Sequence, residues 1–137
     1  MKAVKVLIAE DNDLNRLNLS ELLSDNNFEV TAVRDGKEAM ELFPSERFDV
    51  VITDLKMPHV DGMQLLAFIK ELNEGTIVII MTGYATVSSA VEAMKLGAFD
   101  YITKPLKDDM VLLTLQRAMS FVRLKEENTA LKDRLRK

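Results

Sequence analysis

No cysteine occurs anywhere in the chain, which excludes a disulfide framework and thiolate-held zinc and suits a reducing cytoplasm. His59 is the sole histidine, so zinc would have no second imidazole, and this residue reads as a solvated loop side chain. No apolar stretch approaches the roughly 18 residues that a membrane span requires. The start, Met1-Lys2-Ala3-Val4-Lys5, lacks an apolar signal core and a cleavage site. There is no G-x-x-x-x-G-K-[ST] loop, hence no P-loop ATPase in these residues. Internal repeats and Pro/Gly/Ser-rich linkers are absent too, and 137 residues suffice for one domain with a real core.

Basic charge is scarce in the body of the chain. Of 18 basic and 22 acidic residues, six and three lie in residues 123–137, so that tail carries +3 and the remainder −7. An acidic body favours a metal cation and disfavours nucleic acid. The tail is too mixed in sign for a DNA-binding arm.

What the chain does contain is a set of apolar, β-branched runs separated by helical patterns. Val4–Ala9 ends at Glu10-Asp11, Asp49–Thr53 at Asp54, Thr76–Met81 at Thr82, and Phe99–Thr103 at Lys104-Pro105. Phe28–Val33 supplies a fifth, shorter strand. Leu14, Leu17, Leu19, Leu22 and Leu23 mark a first helix capped by Asn12 or Asp13. The second runs from Asp35-Gly36 to Pro44. The third carries Leu65, Leu66, Phe68, Ile69 and Leu72, and the fourth spans about Val87–Leu96 before Gly97 as C′ residue. A fifth begins after Lys107-Asp108-Asp109 and continues to the end. This alternation predicts an α/β fold with a parallel sheet covered on both faces, but spacing alone leaves the strand order open.

In open α/β sheets, ligands bind at the carboxyl ends of the strands. Carboxylates, a hydroxyl and an ammonium would converge there, the ingredients of metal-assisted phosphoryl chemistry. Taken singly, each has a plainer reading. Asp11 would be a helix cap, Asp54 a turn residue, Lys104 a surface lysine, and Thr82 a cap or turn hydroxyl. Four such coincidences at four strand ends favour the joint reading. Asp61 reads as an organiser of the loop before Gly62, and Gly62 as a turn residue needing unusual backbone angles. The eight methionines read as fillers of core and helix faces.

Glu10-Asp11, Asp54 with Met57-Pro58 and Asp61-Gly62, Thr82-Gly83, Tyr101 and Lys104-Pro105 occur here in order. From Val4 to about Val122 the chain thereby resembles the receiver domain of two-component response regulators. The resemblance implies a flavodoxin-like, doubly wound five-stranded parallel sheet of order 2-1-3-4-5 with five helices. It implies Asp54 as acceptor of a phosphoryl group from a sensor histidine kinase, with Thr82 and Lys104 contacting the transferred group. Mg²⁺ would be held by Asp11, Asp54 and the backbone carbonyl of Lys56, and by Glu10 through water. Thr82 and Tyr101 would be switch residues, with helix four and strand five as the moving face. Lys56 and Tyr84, two residues past Asp54 and Thr82, would flank an attacking water and tune the phosphate's lifetime. A cis Lys104-Pro105 bond is implied as well. Such a protein phosphorylates and dephosphorylates itself and is not a turnover enzyme.

The expected domain division is a receiver over 1–122 and a helical coiled-coil linker over 123–137. Phe121, Leu124, Asn128, Leu131 and Leu135 are spaced 3, 4, 3, 4, an a/d seam with Asn128 at an a position. In that register Glu127 faces the partner's Lys132, so a homodimer is expected. The other stripe, Leu112, Leu115, Met119 and Val122, suits packing on its own domain. Ala90–Tyr101 with Lys104-Pro105 resembles the nitrogen-regulatory (NtrC) class, whose members join the receiver to an AAA+ ATPase and a DNA-binding domain in sigma-54-dependent transcription. The helical pattern reaches Leu135-Arg136-Lys137 without a cap, as expected of a receiver with linker whose output domain, and any DNA contact, lies beyond. Two rivals weaken on the residues. A haloacid-dehalogenase-like phosphatase wants an acid where Lys56 stands, and a flavodoxin-like carrier wants a Ser/Thr/Gly cradle where Glu10–Asn15 is acidic. A receiver serving only as an unphosphorylated interaction module sits poorly with a complete site.

Overall fold

The computed structural model describes residues 3–43 and 45–135, with side chains as far as Leu124. Its elements run β1 (Lys5–Ala9), α1 (Asp13–Asp25), β2 (Glu29–Val33), α2 (Gly36–Leu42), β3 (Val50–Asp54), α3 (Gly62–Leu72), β4 (Ile77–Thr82), α4 (Val87–Lys95), β5 (Asp100–Thr103) and α5 (Asp108–Leu135). They divide into two compact units, Met1–Leu106 and Lys107–Lys137.

In the first unit the five strands are all parallel, in the order β2-β1-β3-β4-β5. The three central strands carry the apolar runs because both of their faces are covered: every residue of β3 and β4 is buried. The edge strand β2 is mixed in exposure and in sequence. From β1 the chain steps one way to β2, then returns past β1 and proceeds the other way through β3, β4 and β5. Right-handed crossovers therefore place α1 on one face and α2, α3 and α4 on the other. The packing agrees. Leu7, Ala9, Val51, Val78 and Ile80 form one core with Ala39 of α2, Leu65, Leu66 and Ile69 of α3, and Ala93 of α4. Leu19 and Leu23 of α1 are buried outside that core. Each fully buried aliphatic side chain contributes about 1.5–3 kcal/mol to holding the sheet and its helices together.

Helix ends obey the residues that begin them. The Asn12 side chain accepts from the Asn15 amide, Asp35 from Glu38, Asp61 from Gln64 and Thr86 from Ser89. Gly97, at φ 105°, ends α4 in the left-handed region that glycine tolerates. The Lys104-Pro105 bond is cis. Pro44, the expected stop of the second helix, lies outside the described residues, and α2 ends at Leu42.

The second unit contains α5, a helix of 28 residues. Val111, Leu115 and Ala118 are its buried apolar stripe, with Leu112, Met119 and Val122 partly exposed, so the stripe centres on slightly different residues from the pattern expected. Of the expected a/d seam, Phe121 and Leu124 are exposed, while the side chains of Asn128, Leu131 and Leu135 lie outside those described. Among the described residues no helix is long and apolar enough to cross a membrane.

Candidate functional site

The strand register carries four segments of the chain to one edge. Ala9 pairs with Thr53 and Asp54 with Met81, so Glu10, just past β1, stands level with the last residue of β3. Thr82 pairs with Thr103, and the Lys104 amide donates to the Thr82 carbonyl at 2.8 Å. This edge lies where the chain switches direction between β1 and β3, the usual ligand crevice of such sheets.

Carboxylate oxygens of Glu10, Asp11 and Asp54 all come within 4.8 Å of one another. Glu10 is fully buried, Asp54 nearly so, and Asp11 is exposed. Lys104 reaches into this group: its ammonium donates to Glu10 Oε1 at 2.5 Å and to Asp54 Oδ2 at 2.8 Å. Lys104 thus pairs with two of the three acids, and a divalent ion would balance negative charge that this ammonium leaves over. Burial pushes the Glu10 carboxyl up to about 6, with Asp54 adding to the rise and Lys104 opposing it. Burial alone would lower the Lys104 ammonium, but its hydrogen bonds to Asp54 and Glu10 and their charges raise it above the ordinary lysine value. Lysine therefore stays charged at neutral pH. Oxygen-only donors, one of them open to solvent, fit a small hard cation such as Mg²⁺.

Lys56 lies two residues past the end of β3, and Thr82 is the last residue of β4. The Lys56 amide lies 3.4 Å from Asp54 Oδ1, and the Lys56 ammonium sits 4.5 Å above the exposed Tyr84 ring. The buried Thr82 hydroxyl accepts the Tyr84 amide at 3.0 Å. Tyr101 is half-buried against the core, with its hydroxyl 2.6 Å from the Ser89 hydroxyl of α4.

Gly62 requires a correction. Its backbone is not in the left-handed region; the residue with positive φ in this loop is His59, at 68°. Glycine is required because a Cβ at 62 would stand 2.4 Å from the Asp54 carbonyl oxygen and 2.9 Å from the Leu55 Cα. The Gly62 amide donates to the Leu55 carbonyl at 2.8 Å, which ties the start of α3 against the strand end that bears Asp54. Asp61 has the loop-organising part expected of it, as N-cap in a reciprocal capping box with Gln64. Arg16 and Ser89 were not singled out by sequence. Arg16 donates to the Glu10 carbonyl at 2.9 Å, a contact that no spacing rule announces.

A family model described as the response regulator receiver domain matches residues 6–116. Regulatory protein AtoC of Escherichia coli (strain K12) is 39% identical over 123 residues, covering 90% of this chain and 27% of that protein. A putative response regulator NtrX-like from Rickettsia bellii (strain RML369-C) is 33% identical over 137 residues, covering 98% of this chain and 29% of the relative. Among solved structures, NtrX from Brucella abortus in complex with ADP superposes with a TM-score of 0.88 at 29% identity, over 95% of this chain and 30% of that one. A response regulator receiver domain protein from Clostridium thermocellum superposes at 0.83 with 33% identity, covering 88% of this chain and 98% of its own. The chain spans less than a third of the length of the curated relatives it matches.

Proposed function

The chain belongs to the response regulator receiver family, and from that premise we propose that it takes a phosphoryl group from a sensor histidine kinase onto Asp54. The observation that carries this reading is the Lys104 ammonium shared between Glu10 and Asp54, with the Asp11 carboxylate alongside.

An Asp54 carboxylate oxygen attacks phosphorus and forms an acyl phosphate while the P–N bond of the donor phosphohistidine breaks, its electron pair returning to the imidazole. Transfer of this kind depends on placement and on neutralising charge at the phosphoryl oxygens. Bound Mg²⁺ would supply part of that neutralisation, held by Asp11, Asp54 and the Lys56 carbonyl, with Glu10 acting through water. Lys104 supplies the rest by moving from Asp54 to a phosphoryl oxygen, and the Thr82 hydroxyl donates to another. Lys56 and Tyr84 cover the approach of hydrolytic water. Each molecule accepts one group and loses it slowly, so the chain is a reversible acceptor and not a turnover enzyme.

Read-out follows from drawing Thr82 toward the phosphate. The change alters the space available to Tyr101 and shifts a two-state equilibrium of α4 and β5. AtoC and an NtrX-like protein align with this chain over 27% and 29% of their own lengths. With the resemblance to the NtrC class, this supports a cytoplasmic regulator of sigma-54-dependent transcription. Residues 123–137 would then be a dimerising linker to an output domain that alone contacts DNA.

Incubation with acetyl phosphate and Mg²⁺ followed by intact mass tests the reading. One added phosphoryl group is expected on the parent and none on Asp54→Ala. Equal uptake by Asp54→Ala would overturn the assignment, and steady turnover of a generic phosphatase substrate would favour a haloacid-dehalogenase-like enzyme instead.

A further inference from the structure

Of the three acids, Asp11 is held least directly. Glu10 is buried between Lys104 and the Asn12 amide, and Asp54 ends a fully paired strand. Asp11 is exposed in the link between β1 and α1, and among the described residues none donates to its carboxylate. Its position rests on the backbone.

We propose that Arg16 is a positioning residue for the cation site, clamping the Glu10–Asp11 peptide so that Asp11 stays within reach of the metal. This inference rests on the Mg²⁺ site proposed above. Arg16 Nη1 donates to the Glu10 carbonyl oxygen at 2.9 Å, which fixes the plane of the peptide from which the Asp11 side chain departs. Nη2 pairs with Asp13 Oδ1 at 2.5 Å, in the first turn of α1. A rigid guanidinium thereby bridges the two ends of the link, a geometry that a lysine ammonium, as a point donor, does not reproduce. The Arg16 side chain is 19% exposed where that of Asp13 is 87% exposed, so the guanidinium is packed into the link rather than only pairing at the surface. The Ser20 hydroxyl, donating to the Arg16 carbonyl at 2.7 Å, ties down the helix turn that bears it.

The alternative is simple charge, and it predicts the opposite sign. A cation near three acids repels Mg²⁺, so removing it, with Asp13 left behind, should tighten metal binding. Loss of a clamp behind the ligands should weaken binding, on the order of tenfold for such outer contacts.

Isothermal titration of the parent, Arg16→Ala and Arg16→Lys with Mg²⁺ decides between them, with cooperative thermal unfolding as the check that each variant is folded. The clamp predicts about tenfold weaker binding in both variants. It also predicts that, with acetyl phosphate, the loss appears in the Mg²⁺ concentration for half-maximal rate rather than in the plateau rate. Unchanged or tighter binding in Arg16→Ala, or parental binding in Arg16→Lys, would overturn it. Absence of Mg²⁺ binding by the parent would instead overturn the metal site itself, so the two failures are told apart.

Discussion

A buried carboxylate with a raised pKa makes stability depend on pH, and the sign follows from which state holds the proton. Glu10 rises from 4.5 to about 6 in the folded, metal-free chain, chiefly through burial. The folded state therefore keeps a proton that the unfolded state releases. Its stabilising contribution is complete below about 4.5 and is lost as pH rises through about 6. Urea midpoints in EDTA across that window should fall with pH in the parent relative to Glu10→Gln, and a parallel pair of curves would refute the coupling. Excess Mg²⁺ favours the ionised acids and should cancel the trend. A second residue-scale prediction concerns Lys56 and Tyr84. Their cation–π contact is worth about 0.5–1 kcal/mol at an exposed site. If the pair covers the phosphate together, Lys56→Ala and Tyr84→Ala each shorten the lifetime several-fold, and the double variant adds little beyond either. Phosphate loss after removal of acetyl phosphate measures this; strictly multiplicative effects would mean two independent screens.

Elements place these residues, and Gly62 shows how tightly. An added methyl group must displace the backbone at Asp54 and Leu55, neither of which can yield like a flexible side chain. Gly62→Ala should cost about 1–3 kcal/mol and slow phosphorylation at saturating Mg²⁺, both read by thermal melts and intact mass. A variant as stable and as fast as the parent would mean that the α3 start moves freely. The same scale separates what could be read in the chain from what could not. β1, β3 and β4 announced themselves because strands buried on both faces become uninterrupted apolar runs, and their ends delivered Glu10, Asp54 and Thr82. Ends slipped by a residue: Asp54 and Thr82 are the last residues of strands rather than the first beyond them. Gly62 was legible as a constrained glycine, but its reason was not, because the clash with the backbone at Asp54 and Leu55 arises from the path by which the intervening loop returns to the end of β3. Contacts such as Arg16 with the Glu10 carbonyl, Lys56 over Tyr84 and Ser89 with Tyr101 depend on loop paths and rotamers, which carry no periodic signature. The last of these links the expected switch residue to the capping box of α4, where Ser89 also serves Thr86. Tyr101→Phe removes that link without changing the ring, and should alter the α4 response to phosphorylation, seen as amide chemical-shift changes, while phosphate uptake persists. Identical shift changes in the two proteins would exclude a role for the hydroxyl.

At the scale of the whole molecule the charge is uneven, with the acidic body ending in a basic, helical tail. A continuous helix from Asp108 to Leu135 passes through the expected boundary at residue 122 without interruption. Phe121 and Leu124, the first two seam positions, are 51% and 59% exposed. Burying such side chains between two copies is favourable, yet two heptads bury little and three or four are usually needed for a firm coiled coil. The expected association is therefore weak and concentration-dependent, with pairs between Glu127 and the partner's Lys132 making it sensitive to salt. Light scattering over a concentration series should show a rising mean mass for the full chain and a constant monomer for a chain ending at Val122. Asn128→Leu should strengthen association while relaxing register, since a polar a-position side chain trades stability for alignment. Equal masses for the full and shortened chains at every concentration would remove the seam from consideration and leave α4 and β5 to carry any contact between copies.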